Sequence, residues 1–286
     1  KNLPQVAIIG AGMAGLSLAH MLEPYALVTL FEKSGGVGGR MSTRYAGEHQ
    51  FDHGAQYFTA RSKAFKRFLA PLIEAGSVKD WQPHVLTLGG DKKPYKRDWF
   101  EPRYVATPKM NQLGKLLAAD KNVLLKTHIA ELEKTPQGWL LKDSSGKQHG
   151  HFDWLVSTAP APQTAKLLPT TFSAYAELEE AEMAACYCLM IGLDKPLTTT
   201  WQAAVVKDSC IGWIAIDSSK PDRGEGCSLV IHSTPEWAEQ HLEDDQLDIQ
   251  QQLFAELERL LAYSLEGVAY SKLHRWRYAS TATAFN

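Results

Sequence analysis

Three features of the sequence predict an α/β fold with two interleaved domains. A short apolar run, "VAIIG" (6–10), is followed by small and apolar residues at helical spacing, "GMAGLSLAHML" (12–22), and then by a second β-rich run, "LVTLFE" (27–32). Strand, helix and strand within 32 residues form the smallest βαβ unit. Alternating strands broken by "TPQG" and "DSSG" fill the stretch from 122 and read as a β-meander. Strands at 186–193 and 227–232 mix with helices across 171–270. The order is βαβ, mixed, meander, then α+β, as when one α/β domain is interrupted by another.

"VAIIG" is continuously apolar and ends in glycine, which fits a strand buried on both faces. "TPKMNQLGKLLAA" (107–119) predicts a helix with Thr107 as N-cap and Pro108 in its first turn. "WLVSTA" closes the meander as another short buried strand. "LDIQQQLFAELERLLA" (247–262) carries apolar residues at 249, 253, 257, 260 and 261, the stripe of an amphipathic helix. "LEDD" (242–245) before it reads as an acid run at a helix N-terminus or in a linker. "HGH" (149–151) is expected in a solvated hairpin loop.

With 286 residues, 44% of them hydrophobic, the chain can build one large core or two. A formal charge of −2 argues against electrostatic binding of nucleic acid or a membrane surface. Four cysteines suit a reduced, cytoplasmic protein, and Cys186 and Cys188 in "ACYCLMIGL" alternate like buried strand residues rather than metal ligands. No phosphate-loop or zincin pattern occurs, so no metal is expected. "GLSLA" (15–19) falls inside the first helix and lacks the final glycine of a nucleophile elbow.

The chemistry begins at the first strand–helix turn. Gly10, Gly12 and Gly15, with Ala11, Met13 and Ala14 between them, spell G-x-G-x-x-G. The first glycine permits the turn, the second lets a pyrophosphate approach, and the third lets the helix pack on the sheet. The helix N-terminus then offers free N–H groups and partial positive charge. Glu32, followed by Lys33, lies 20 residues after Gly12 at the end of the second strand, where a carboxylate can accept both hydroxyls of a ribose. A second glycine cluster, "GGVGGRM" (35–41), follows at the same edge. Backbone N–H groups of Gly38, Gly39 and Arg40, with Met41 beyond, are placed to line a long cofactor's phosphates and ring. An NAD site has no need of this second cluster. The pair of clusters resembles the glutathione-reductase-like flavoproteins, and the cofactor reads as FAD.

"FDHGAQYFTAR" (51–61) with "LFEKSGGVGGRMSTR" resembles the renalase-like branch of the flavin-containing amine oxidase superfamily. "KTHIAELEKTPQGWLL", "STAPAPQTAKLL", "WIAIDSSKPDR", "VIHSTPEWA" and "HRWRYA" follow in that branch's order, so the resemblance covers nearly the whole chain. It implies a Rossmann-like, glutathione-reductase-like FAD-binding domain with a β-meander (1–60, 103–165 and 272–286). A second α+β substrate domain with a mixed sheet (61–102 and 166–271) is implied with it. It also implies noncovalent FAD, hydride transfer to flavin N5, dioxygen as acceptor and, as substrates, isomers of dihydronicotinamide nucleotides with a misplaced hydride. By the same resemblance Ile129 would offer backbone hydrogen bonds to adenine, and Thr158, Ala159 and Pro160 would lie beside the FAD. His53, Gly54, Ala55, Gln56 and Tyr57 would lie near the isoalloxazine, with His232 and Trp276 on the substrate side. Members of the branch end with a further strand and helix carrying a G-D-x motif; the sequence ends at "RYASTATAFN", before such a segment.

Plainer roles stand beside these: a turn-capping His53, core aromatics at Tyr57 and Phe58, a core His232, and interface packing for Trp276. Other functions also stand open: a flavin amine oxidase of different substrate range, or a non-catalytic protein that kept the fold, as GDP-dissociation inhibitors do.

Overall fold

The computed structural model describes residues 3–90, 93–96 and 100–282. The chain divides into two compact units, Lys1–Met41 with Leu113–Met183 and Thr281–Asn286, and Ser42–Gln112 with Ala184–Ser280.

The first unit is built on a four-stranded parallel sheet in the order Trp154–Ser157, Gln5–Ile9, Leu27–Phe31, Asn122–Leu124. Alternate residues of the central strand serve opposite faces, as a pleated strand requires. Val6 and Ile8 pack with Leu16 and Ala19 of the helix Met13–Leu22. Ala7 and Ile9 pack with Ile129, Leu141 and Phe152 of the meander Ile129–Thr135, Gly138–Asp143, Gln148–Phe152. Helix on one side and meander on the other explain the unbroken apolar run. Trp154–Ser157 lies at the sheet's edge, so Trp154 stays 67% exposed and the strand is less buried than its sequence predicts. "HGH" is strand, not loop. His149 Nε2 bonds Asp143 at 2.8 Å and its ring meets Phe31 edge-on at 5.2 Å, which fixes it to the structure.

The second unit holds a seven-stranded mixed sheet. Its order is Val268–Thr281, Met183–Leu193, Cys227–Ser233, Ile211–Ile216, Ala203–Lys207, Val85–Gly89, Tyr95–Lys96. Tyr187, Leu189 and Ile191 face one apolar cluster, completed by Ile249, Leu253 and Leu257 of the helix Gln246–Leu261. Cys188 and Met190 face another with Phe51 and Val230. Asp245 caps that helix by accepting from Leu247 and Asp248 N–H, so the acid run has a helix-terminal role. All four cysteines are free thiols.

Two expectations change. The helix predicted at 107–119 spans Asn111–Ala118, because the Thr107 side chain donates to Gly76 O instead of capping. The units also divide elsewhere than the predicted domains. Segments 42–60, 103–112 and 272–280 join the second unit and 166–183 the first. The cause is long-range bonding: Asp52 binds groups at 110, 217, 220 and 223, and 272–280 continues a strand of the large sheet. The predicted segments' extremes at 1–2, 91–92, 97–99 and 283–286 lie outside the described residues. Among the described residues no helix is long and apolar enough to cross a membrane.

The bonding at Asp52 is extensive. Oδ1 accepts from Thr43 Oγ1 (2.7 Å) and Met110 N–H (3.1 Å); Oδ2 accepts from Arg223 Nη2 (2.6 Å) and Lys220 Nζ (3.4 Å). Lys220 also binds Asp217 Oδ1, whose Oδ2 accepts the Asp52 N–H at 3.0 Å. Burial pushes the Asp52 carboxyl up, but Lys220, Arg223 and the Thr43 bond outweigh it and hold Asp52 below the usual carboxylate range. Asp217, buried beside that charge, is pushed up. The Asp52 side chain is 1% exposed and that of Lys220 0%. Replacement of Asp52 by Asn leaves two buried cations to one anion. We expect Asp52→Asn to lose about 3–5 kcal/mol of unfolding free energy in denaturant titration; a loss below 1 kcal/mol would show the network to be peripheral.

Candidate functional site

The predicted site residues fall into two constellations, one in each unit. In the first unit, Gly10 has φ +102° and a Cβ there would meet Thr158 Oγ1 at 2.8 Å. A Cβ on Gly15 would lie 2.0 Å from Gly10 O, so only glycine lets the helix start against the strand end. The helix is entered through Gly12 with no side chain capping it, which leaves first-turn N–H groups of Met13, Ala14 and Gly15 for an anion. Thr158 N–H donates to Ile9 O and its hydroxyl reaches Ile9 O and Gly10 O, so the turn is held from the neighbouring strand. Ala159 O accepts from Thr164, and Pro160 precedes the helix Ala161–Leu167.

The two glycine clusters are one structure. Gly38 N–H donates to Ala11 O at 2.9 Å, and a Cβ on Gly39 would come within 3.2 Å of Gly12 Cα. This corrects one expectation: the Gly38 N–H is bonded to the first loop and does not line a phosphate. Met41 N–H closes back on Gly38 O, through the short turn Gly39–Met41 that contains Arg40. Glu32 is 7% exposed; its Oε2 accepts from Ala11 N–H (2.9 Å) and its Oε1 from Ser34 N–H (2.8 Å). A carboxylate oxygen accepts twice, so each retains a lone pair for a hydroxyl. Lys126 and Thr127 N–H donate to Ser34 O and Glu32 O, which draws the chain entering Ile129 alongside the acid. Lys33 points to Gln163. An uncapped helix N-terminus, an unobstructed glycine loop and a buried acid with spare lone pairs fit a dinucleotide.

The second constellation joins the "FDHGAQY" loop to two strands. The His53 carbonyl accepts from His232 Nε2 at 3.1 Å and from Trp276 Nε1 at 2.9 Å. The His53 ring stacks on Trp276 (5.1 Å, 25°) and meets His274 edge-on (4.9 Å, 89°). Gln56 donates to Asp52 O and to Gly54 O (3.1 Å), which closes the loop over Gly54 and Ala55. Tyr57 lies 5.8 Å from Trp213 and beneath the Arg103 guanidinium. Burial holds all three histidines neutral. His53 is lowered to about 3, with help from His274 and Arg44, and His274 to about 4, with help from Arg44. His232 falls to about 4, with Lys220 adding to the effect and the His53 bond opposing it.

Thus His53, His232 and Trp276 come together, while Tyr57 belongs to a neighbouring aromatic group with Trp81 and Trp213. Sequence reading missed His274, whose signal was its two-residue spacing from Trp276 on a strand. It missed Gly114, where a Cβ would meet Gly38 Cα at 2.9 Å; a helix-interior glycine was the sign. Asp52, Asp217, Lys220 and Arg223 stood within motifs already singled out. Among the described residues no cluster of three or more His, Cys, Asp or Glu could hold a metal.

Residues 8–72 match the NAD(P)-binding Rossmann-like domain. The mouse (Mus musculus) renalase is 24% identical over 99% of this chain and 86% of its own length. Among solved structures, a candidate protoporphyrinogen oxidase from Exiguobacterium sp. 255-15 superposes with TM-score 0.77 at 14% identity over 99% of this chain and 88% of its own. A reduced UDP-galactopyranose mutase gives 0.75 at 12% over 97% and 82%. A putrescine oxidase variant gives 0.71 at 12% over 95% and 85%.

Histidines held neutral by burial take up protons more readily when unfolded. Their folded values lie below 6.5, so stability is full above about pH 6.5 and falls as pH drops towards 4. Each contributes a slope of up to about 1.4 kcal/mol per pH unit. Urea titrations between about pH 6 and 5, above the carboxylate range, should show unfolding free energy falling with acid. His232→Gln should reduce the slope by about one proton; an unchanged slope would place His232 outside the buried set.

Proposed function

We propose that this chain, a renalase-like flavoprotein and an FAD-dependent oxidoreductase, oxidises dihydronicotinamide nucleotides that carry their hydride at a misplaced ring position, with dioxygen as acceptor. The observation that carries the substrate reading is that the His53 carbonyl holds an indole, Trp276, beside an imidazole, His232, whose ring N–H is spent on that carbonyl. A histidine lowered to about 4 is a weak base at neutral pH, ill suited to removing a proton. Loss of hydride from a 2- or 6-dihydronicotinamide leaves an aromatic pyridinium ion, so no proton need leave the substrate. When bound, FAD supplies the two-electron acceptor, which dioxygen reoxidises as hydrogen peroxide forms.

The chain's own part is binding and orientation. The loop of Gly10, Ala11, Gly12, Met13, Ala14 and Gly15 holds the pyrophosphate at the helix N-terminus. Glu32 takes the ribose, Lys33 follows it at the cofactor's edge with its ammonium on Gln163, and Ile129 offers main-chain groups to adenine. Gly39, Arg40 and Met41 continue the cradle that Gly38 ties to the first loop, and Thr158, Ala159 and Pro160 border it. His53, Gly54, Ala55 and Gln56 serve the ring end. Trp276 gives a nicotinamide an aromatic wall, Tyr57 a second, and His232 a hydrogen bond.

The purified protein should be yellow and release FAD, not FMN, on boiling. Glu32→Ala should weaken FAD binding by about one to two decades in Kd, followed by flavin fluorescence on the apoprotein; unchanged affinity would remove the acid from the site. Anaerobic stopped-flow should show flavin reduction by 2- or 6-dihydro isomers of NAD(P) at least roughly a hundredfold faster than by ordinary NAD(P)H. Rapid reduction by simple amines and none by these isomers would favour an amine oxidase of other range.

A further inference from the structure

We propose that the main-chain carbonyl of His53 fixes His232 as the Nε2–H tautomer, so that His232 selects a substrate head group that donates a hydrogen bond, a carboxamide, over an anionic carboxylate or phosphate. This rests on the dihydronicotinamide reading above and narrows it.

His232 Nε2 faces the His53 oxygen at 3.1 Å. A carbonyl oxygen only accepts, so the proton is on Nε2 and the Nδ1 of the neutral ring carries a lone pair. The same oxygen takes Trp276 Nε1–H at 2.9 Å, so both of its acceptor sites are filled. Turning the imidazole would leave this oxygen with one bond and Nε2–H with none, which costs most where water is scarce.

Neither partner is free to drift. His232 lies on a strand paired on both sides, opposite Cys188 on one neighbour and Trp213 on the other. The backbone at 52–53 is anchored by the Asp52 N–H bond to Asp217 and by Gln56 on Asp52 O. The His53 ring is held between Trp276 and His274. Burial and the Lys220 charge keep His232 neutral, so Nδ1 does not become a donor. Its residue is partly open to solvent, and among the described residues Nδ1 has no bonded partner. A fixed lone pair accepts from an amide N–H and repels a carboxylate or phosphate oxygen; specificity of this kind works by penalising the wrong ligand.

The test uses FAD-loaded enzyme with 15N-labelled histidine. The His232 ring nitrogens should show Nε2 protonated and Nδ1 bare across about pH 5 to 8. A proton on Nδ1, or titration within that range, overturns the proposal whatever the substrate is. Equilibrium titration with NAD⁺ and with nicotinic acid adenine dinucleotide should show the acid analogue bound about 10- to 100-fold more weakly. That preference should shrink to within about threefold in His232→Leu and return in part in His232→Asn, whose Oδ1 replaces the Nδ1 acceptor. Equal affinity in the wild type, or full preference in His232→Leu, sinks the selection while sparing the substrate reading. Failure of both dinucleotides to bind, with the tautomer as assigned, overturns the substrate reading and the selection built on it.

Discussion

The Asp52 carboxylate is the constraint on which the second unit depends. It draws Thr43, Met110, Lys220 and Arg223 from separate stretches of chain onto two oxygens. Burying such charges costs several kcal/mol per ion, and the cost is offset only when every lone pair and proton has a partner. Here two acids meet two bases, Gln56 accepts from Lys220, and Arg223 Nη1 reaches the carbonyls of Ala106, Pro108 and Pro221, which leaves the buried Arg223 Nε as the group without a partner among these four side chains. What results is position. Residue 53 follows directly, and its carbonyl can receive two ring N–H groups only because the preceding residue does not move.

The first unit solves a different problem, that of bringing two loops of bare backbone together. Bonds from Gly38 N–H to Ala11 O and from Ala11 N–H to Glu32 make a continuous tie from one glycine cluster to the acid. Side chains at Gly10 or Gly15 would collide with Thr158 or Gly10 O, and one at Gly39, where φ is +55°, would press on Gly12 Cα. Glu32 is therefore structural as well as available to a ribose. Its two oxygens take N–H donors from Ala11 and Ser34 before any ligand arrives, so the loop is held in shape by its own bonds.

The parts read most readily from the sequence were those with local signatures. G-x-G-x-x-G, the acid 20 residues on and the apolar alternation of the central strand each rest on contacts within a few tens of residues, and the parallel sheet and meander follow from them. The stripe at 249, 253 and 257 is likewise local, and these residues are buried as expected. Thr107 looked like a cap because its partner Gly76 lies 31 residues away. The unit boundaries were hidden for the same reason, since Asp52 and Arg223 are 171 residues apart. His274 and the Gly114–Gly38 approach depend on which elements end up adjacent, and no periodicity encodes that.

The neutrality of the histidine cluster has a cost that links stability to chemistry. Three imidazoles in so small a volume, beside Arg44 and near Lys220, repel any added proton. Their free energy as a group is lowest with no charge, and the fold gives up acid tolerance to keep it so. A substrate that becomes a cation on oxidation gains nothing from a cationic neighbour and something from a neutral ring and an indole face. A proton-removing mechanism would need the opposite, a base with a pKa near the working pH. The burial that depresses these values makes the three imidazoles poor bases, and the doubly accepting carbonyl of His53 fixes the direction in which His232 and Trp276 point their N–H groups.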